Sequence, residues 1–172
     1  MKNLYRFLSL LSFSLILISG SSLASVPEGI NLNKTSNGYL INFILPAYQH
    51  LPVTAEGVEY NQLQIPGYGV IPEVGLPALP IVSFNLFIAY EETQPEFEIK
   101  NIITEEKILK NKIFPFQMPW EKSNPIEERP FTINNDYYNS TGNMDQPFVR
   151  ISEPFIIAGV KGITVTLYPF RY

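Results

Sequence analysis

Proline stands at the end of most apolar runs in this chain, and all 15 prolines lie beyond residue 24. Proline offers no N–H to a helix or a sheet ladder, so each one limits the element it borders. Between the prolines the apolar residues are rich in Ile, Val, Phe and Tyr, which pack well on a pleated surface. Short strands joined by Pro/Gly connections follow. The reading is an all-β fold, an antiparallel β-sandwich of jelly-roll-like type.

Residues 57–90 organise the rest. A strand-like run, 58–65, leads into a connection built on Pro66, Gly67, Gly69, Pro72, Gly75, Pro77 and Pro80. A second strand, 81–89, follows with Val82, Phe84, Leu86 and Ile88 on one face. Its other face carries Ile81, Ser83, Asn85, Phe87 and Ala89, which predicts cover on both sides. So much Pro and Gly between two strands predicts passage from one sheet to another rather than a tight hairpin. Further strands are expected over 39–45, 96–103 (Phe97, Ile99 and Ile103 inward), 148–151, 155–158 and 162–170. Residues 25–37 read as a polar lead-in without regular structure, and 49–56 as a connection. Residues 105–112 permit a helical turn or a strand continuing to Ile113. From 115 to 147 the apolar pattern is lost, and a connection this long in a compact domain marks a functional or mobile segment.

The start of the chain reads as a cleavable export signal. Lys2 and Arg6 precede an apolar run over 7–18, and Ser22-Leu23-Ala24 supplies small residues for cleavage after Ala24. This segment is expected to be helical. Its apolar run falls short of the roughly 20 residues that span a bilayer. No cysteine follows it to carry a lipid, and no later run is long and apolar enough to cross. The expected product is secreted, extracellular or periplasmic, with no membrane attachment after cleavage.

Cleavage removes Lys2 and Arg6 but no acid from 12 basic and 16 acidic residues, leaving a formal charge of −6. That disfavours nucleic acid, whose binding rests on neutralising phosphates with Lys and Arg. Residues 25–172 suit one domain with a real core, read as an N-terminal segment 25–56 with the first strand and a β-domain over 57–172. Without cysteine, export brings no disulfides, and packing must supply the stability.

The chemistry is mostly excluded. A chain without cysteine is no cysteine peptidase, and His50, the single histidine, has no G-x-S-x-G to serve. One histidine cannot make a zinc site of the usual ligand count. The acid pairs Glu91-Glu92, Glu105-Glu106 and Glu127-Glu128 are adjacent, so their carboxylates diverge into solvent. Asn134, Asn135, Asp136, Asn143 and Asp145 supply oxygen ligands without the spacing of a known calcium loop. No catalytic residue, cofactor or metal site is expected. Trp120, with Phe116, Phe131, Tyr137 and Tyr138 nearby, reads either as an aromatic platform for a sugar or as pins holding a long loop on the core.

Four pieces of the chain, in order, carry a family resemblance. The run Glu73-Val74-Gly75-Leu76-Pro77-Ala78-Leu79-Pro80 resembles the V-G-x-P-x-L-P segment of the N-terminal propeptide of gingipain-type cysteine peptidases. Residues 58–65 resemble the strand before it. Ile113-Phe114-Pro115-Phe116-Gln117-Met118-Pro119 resembles the hydrophobic-P-x-Q-x-P segment. Residues 160–172, ending Leu167-Tyr168-Pro169-Phe170-Arg171-Tyr172, resemble the segment ending Y-P-F-Q-Y, with Arg171 where an uncharged residue such as Gln is usual.

The resemblance implies a non-catalytic β-domain that packs on a gingipain-like cysteine peptidase catalytic domain, in cis or in trans. It implies help in folding that domain and maintenance of its latency. In the best-known members a basic residue of the propeptide fills a carboxylate-lined specificity pocket; by position, Arg129 and then Lys122 take that place here, with Trp120 at the same contact. A secreted carbohydrate-binding or adhesive β-sandwich module is the alternative, with Trp120 at its centre. The family continues beyond the Y-P-F-Q-Y segment, so residues 57–172 are expected to be C-terminally incomplete. The strand ending there is expected to leave an open sheet edge and an uncovered apolar face.

Overall fold

The computed structural model describes residues 5–17 as backbone, and residues 26–36, 38–92, 95–120, 129–140 and 146–172 in full. In chain order the elements are β1 (Tyr5–Leu17), β2 (Ile30–Thr35), β3 (Gly38–Ile44), β4 (Gln49–Ala55), β5 (Val58–Gln64), β6 (Gly69–Val70), β7 (Pro80–Phe87), β8 (Phe97–Leu109), α1 (Asn135–Asn139), β9 (Val149–Ile151), β10 (Phe155–Ile157), β11 (Val160–Leu167) and β12 (Phe170–Arg171). All strand pairs within the sheets are antiparallel.

One sheet places β1 between β8 on one side and β12 and β3 on the other, with β2 beyond β3. The second places β11 between β7 and the pair β9 and β10, with β6 beyond β7. Tyr39, Ile41 and Phe43 of β3 meet Val82, Phe84 and Leu86 of β7 and Ile163, Val165 and Leu167 of β11 in one buried core. This is the sandwich that the proline spacing predicts. A second core joins Leu63 and Ile65 to Ile71, Leu79, Leu109, Ile113, Tyr138, Phe170 and Tyr172. The crossover behaves as expected: β5 belongs to the β4–β5 hairpin and β7 to the second sheet.

Several expectations are corrected. Residues 30–35, read as an irregular lead-in, form β2 on the edge of β3. Residues 49–55, read as a connection, form β4; Pro52 is tolerated because β4 pairs with β5 alone. Their turn places Glu56 at φ 49° and Gly57 at φ 72°, the pair of positive angles a two-residue hairpin favours. Of the two alternatives left open for 105–112, the strand holds, with residues 105–109 continuing β8. The export-signal segment is extended, with β1 backbone-paired along its length. A short helix, α1, lies in the stretch expected to lack regular structure.

Burial also differs in places. The second face of β7 is open at Ser83 and Asn85, which bond across to Thr166 (2.9 Å) and Thr164 (2.8 Å) of β11. Phe97 and Ile103 are exposed, and of the three inward residues expected on β8 only Ile99 packs on the core. Asn101 at φ 55° and the register shifts opposite it break the alternation there. β11 is no edge: it has partners on both sides, and Ile163, Val165 and Leu167 are fully buried. Arg171, the departure from the family pattern, lies 3.6 Å above the Phe148 ring.

Tyr68 ties the crossover to the lead into β2, its hydroxyl donating to Glu28 O at 2.7 Å. Burial, with the Glu28 carboxylate second, pushes its pKa up to about 12. An unfolded tyrosine loses its proton near pH 10. The contribution of Tyr68 to stability is therefore complete below about pH 10 and declines as pH rises towards the folded value. Urea midpoints measured between pH 8 and pH 11.5 should fall with pH, and less steeply in Tyr68→Phe.

Candidate functional site

The surface that matters is built from backbone that is strand-like without belonging to a long strand. Residues 111–116 run between β5 and the crossover and bond to both. Asn61 donates its N–H to Lys112 O (2.8 Å) and accepts from Phe114 N (2.7 Å). On the other side, Phe116 N donates to Leu76 O (2.8 Å) and Ala78 N to Phe114 O (2.9 Å). Pro77 and Pro115 face each other between those two bonds. This is the antiparallel position at which neither residue needs an N–H, so both prolines fit a paired backbone.

Gly75 closes the junction. Its N–H donates to Phe116 O (2.8 Å) and its carbonyl accepts from Asn134 N (2.9 Å). Its φ is +82°, and a Cβ there would lie 3.1 Å from Asn134 N. Asn134 in turn caps α1, its side chain accepting from Tyr137 N at 3.0 Å. Tyr138 of α1 is buried, donates to Ile113 O (2.7 Å) and packs edge-on against Tyr172. Burial pushes its pKa far up, so it remains a neutral donor.

From this base a loop leaves at Met118 and returns at Phe131. Gln117 fastens its ends. Its amide nitrogen donates to Thr132 O (2.8 Å), and its amide oxygen accepts from Thr132 N (2.8 Å). The same nitrogen reaches Pro115 O at 3.0 Å. One side chain thus supplies the two-way exchange a neighbouring strand would make. Phe131 then packs against Tyr60 (5.7 Å between centroids) and Phe114 (5.9 Å).

The expected contact residues fare differently. Arg129 is exposed at the returning end of the loop, with one guanidinium nitrogen 3.4 Å from Met118 O. Lys122 lies outside the described residues. Trp120 is half-buried; of the aromatic residues expected near it, Phe131 faces Tyr60 and Phe114, and Tyr137 and Tyr138 sit on α1. Phe131 pins the returning end of the loop against Tyr60 and Phe114. Of the possible calcium ligands, Asn134 is a helix cap, and Asn143 and Asp145 fall outside the described residues. Among the described residues no group of three or more His, Cys, Asp or Glu side chains is placed to hold a metal ion. His50 is exposed on β4 beside the Tyr48 ring. The sequence reading missed the roles of Gln117 and Asn134. Gln117 carried a signal, a lone amide in a proline-bounded apolar run, but not its partner.

The family model described as Propeptide_C25 matches residues 24–172. The chain belongs to this family. It is a gingipain-type pro-domain, the non-catalytic part of a cysteine peptidase precursor, and it contains no cysteine. Among solved structures, the complex of Porphyromonas gingivalis RgpB pro- and mature domains matches with a TM-score of 0.63 and 17% identity, over 86% of this chain and 75% of that one. A structure concerning zymogenic latency of gingipain K from the same organism gives 0.60 and 18%, over 92% and 87%. At these identities the likeness is one of fold. No curated protein sequence matches.

In this pro-domain the family-like segments are therefore the parts of one scaffold, and two substitutions test it. Gly75→Ala forces a left-handed angle on an L-residue and crowds Asn134, and should cost about 2 kcal/mol in chemical denaturation. Gln117→Ala removes the clamp and should cost about 1–2 kcal/mol, with faster proteolytic cutting between residues 118 and 131 than in the unsubstituted chain.

Proposed function

We propose that this pro-domain packs on the catalytic domain of a gingipain-type cysteine peptidase, assists its folding and holds it latent, with the loop from Met118 to Phe131 at the contact. The observation that carries this reading is the closed loop base. An inhibitor must offer a segment to a cleft without being cut, and a segment fastened at both ends loses less freedom on binding. Gln117, Thr132 and the Tyr60–Phe114–Phe131 cluster supply that fastening. Arg129, exposed at the returning end, is the first choice for a basic residue entering an acidic pocket, and Lys122 the second.

Residues 1–24 act as an export signal removed after Ala24, and the product reaches the extracellular or periplasmic space. There the peptidase polypeptide is its partner, in cis or in trans.

Inhibition constants of the cognate catalytic domain test the contact. Arg129→Ala should weaken inhibition by about 2–5 kcal/mol, because the partner's carboxylate is left buried and unpaired. Unchanged inhibition by both Arg129→Ala and Lys122→Ala would remove the basic-residue mechanism. Absence of inhibition by the unsubstituted pro-domain would remove the latency role.

A further inference from the structure

The strand at the centre of the first sheet is the segment read as an export signal. β1 pairs with β8 from Tyr5↔Leu109 to Leu17↔Phe97. Along its other edge it pairs with β12 at Leu8 and Ser9, and with β3 from Ser12 to Leu17. Among the described residues β1 is the only strand partner of β8 and of β12. Taking β1 away would leave β8 without a sheet and strip one edge from β3. Backbone N–H and C=O groups left in that state must find other partners.

We propose that the groove between β3 and β8 is a strand-acceptor site, held by β1 until the leader is removed and then filled by an extended segment of the peptidase polypeptide. The inference rests on the pro-domain reading above. The strand seated in the groove defines the occupant's chemistry. Phe13, Leu15 and Leu17 stand opposite Phe43, Ile41 and Tyr39, the buried residues of β3, and Leu15 also stands opposite Ile99 of β8, which packs on the core. Ser12 and Ser14 alternate with them, opposite exposed Ile44 and half-buried Asn42. The occupant must run antiparallel to both flanking strands, with apolar residues at the positions of Phe13, Leu15 and Leu17; at the positions between, Ser12, Ser14 and Ile16 show that small, polar and apolar residues are all accepted. A second copy of this chain is a poor donor, because β2 to β12 all have partners in their own domain. The polypeptide that the pro-domain accompanies is the donor at hand.

The test uses the full chain with a site for a specific protease inserted after Ala24, folded and then cut. The probe is a fluorescent peptide of residues 5–17, competed by overlapping peptides covering a gingipain-type peptidase polypeptide. Once the cut leader is washed out, hydrogen exchange should show loss of protection in β8 and β12. Protection should return with the probe, and one peptidase peptide with apolar residues at alternate positions should displace it. A Leu15→Lys probe should fail and a Ser14→Lys probe should bind, as the register requires. The proposal is overturned if β8 stays protected with the groove empty, if the cut leader cannot be displaced, if the cut chain fills the groove by dimerising, or if no peptidase peptide competes. Inhibition is read in parallel: strand uptake without inhibition retires the latency role alone, and inhibition without strand uptake retires this inference alone.

Discussion

Residues 111–116 are held by hydrogen bonds on both edges, to Asn61 of β5 on one side and to Leu76 and Ala78 of the crossover on the other. Everything at the proposed contact depends on this short ladder. It turns a stretch punctuated by prolines into a fixed backbone, because Pro77 and Pro115 occupy the paired position that needs no donor. Asn61 strengthens it from the side, its amide donating to Asn111 O at 2.9 Å, and Asn111 donates in turn to Glu59 at 2.6 Å. With the ladder in place, Gln117 emerges at the one point from which it can reach Thr132.

The two cores divide the work. The first lies between the sheets and is made from the alternating faces of β3, β7 and β11. The second lies under the ladder and is assembled from distant parts: Leu63, Leu79, Ile113, Tyr138 and Phe170. Phe170 reaches it because the chain changes sheets at Tyr168-Pro169, leaving β11 in one sheet and entering β12 in the other. A fully buried phenylalanine contributes about 1.5–3 kcal/mol of burial. The end of the chain thus helps to hold the loop base, through Phe170 and through Tyr172 against Tyr138.

What could be read from the sequence follows from the range of each interaction. Period-two alternation over 81–88 and 163–167 places β7 and β11, because one buried face leaves a local pattern. The crossover is legible because Pro and Gly act on their own backbone. β2 and β4 were missed because each pairs with one neighbour on an edge, carries polar residues and, in β4, includes Pro52. Ile103 turns outward beyond the bulge at Asn101, which no alternation rule anticipates, while Phe97, in register with Ile99 ahead of the bulge, is exposed at the start of β8. At the candidate site the family-like motifs marked the right residues, but their reasons are non-local. The role of Gly75 depends on Asn134, and that of Gln117 on Thr132. Pairings across 59 and 15 residues leave no trace in a window of ten.

Under the proposed reading of residues 1–24 as an export signal, one composition serves two states. In a membrane, an apolar segment such as residues 7–18 must satisfy its own backbone, and a helix is the way for a single segment to do so. Beside β8 on one edge and β12 and β3 on the other, the same residues find backbone partners outside themselves. Ser12-Phe13-Ser14-Leu15 followed by Ile16 and Leu17 then pairs as a strand with β3. Thirteen residues in extended form span about 44 Å at 3.4 Å each, and β8, also thirteen residues long, offers a ladder of that length. If residues 1–24 are the export signal proposed above, folding and export compete for one segment. If the leader enters the sheet it is withdrawn from the machinery that must recognise it. If the machinery keeps it, the sheet cannot be completed by β1. On the strand-acceptor proposal, removal of the leader opens the groove only when the peptidase polypeptide is there to fill it. That order of events would let one strand serve the pro-domain's sheet and its attachment to the peptidase at once.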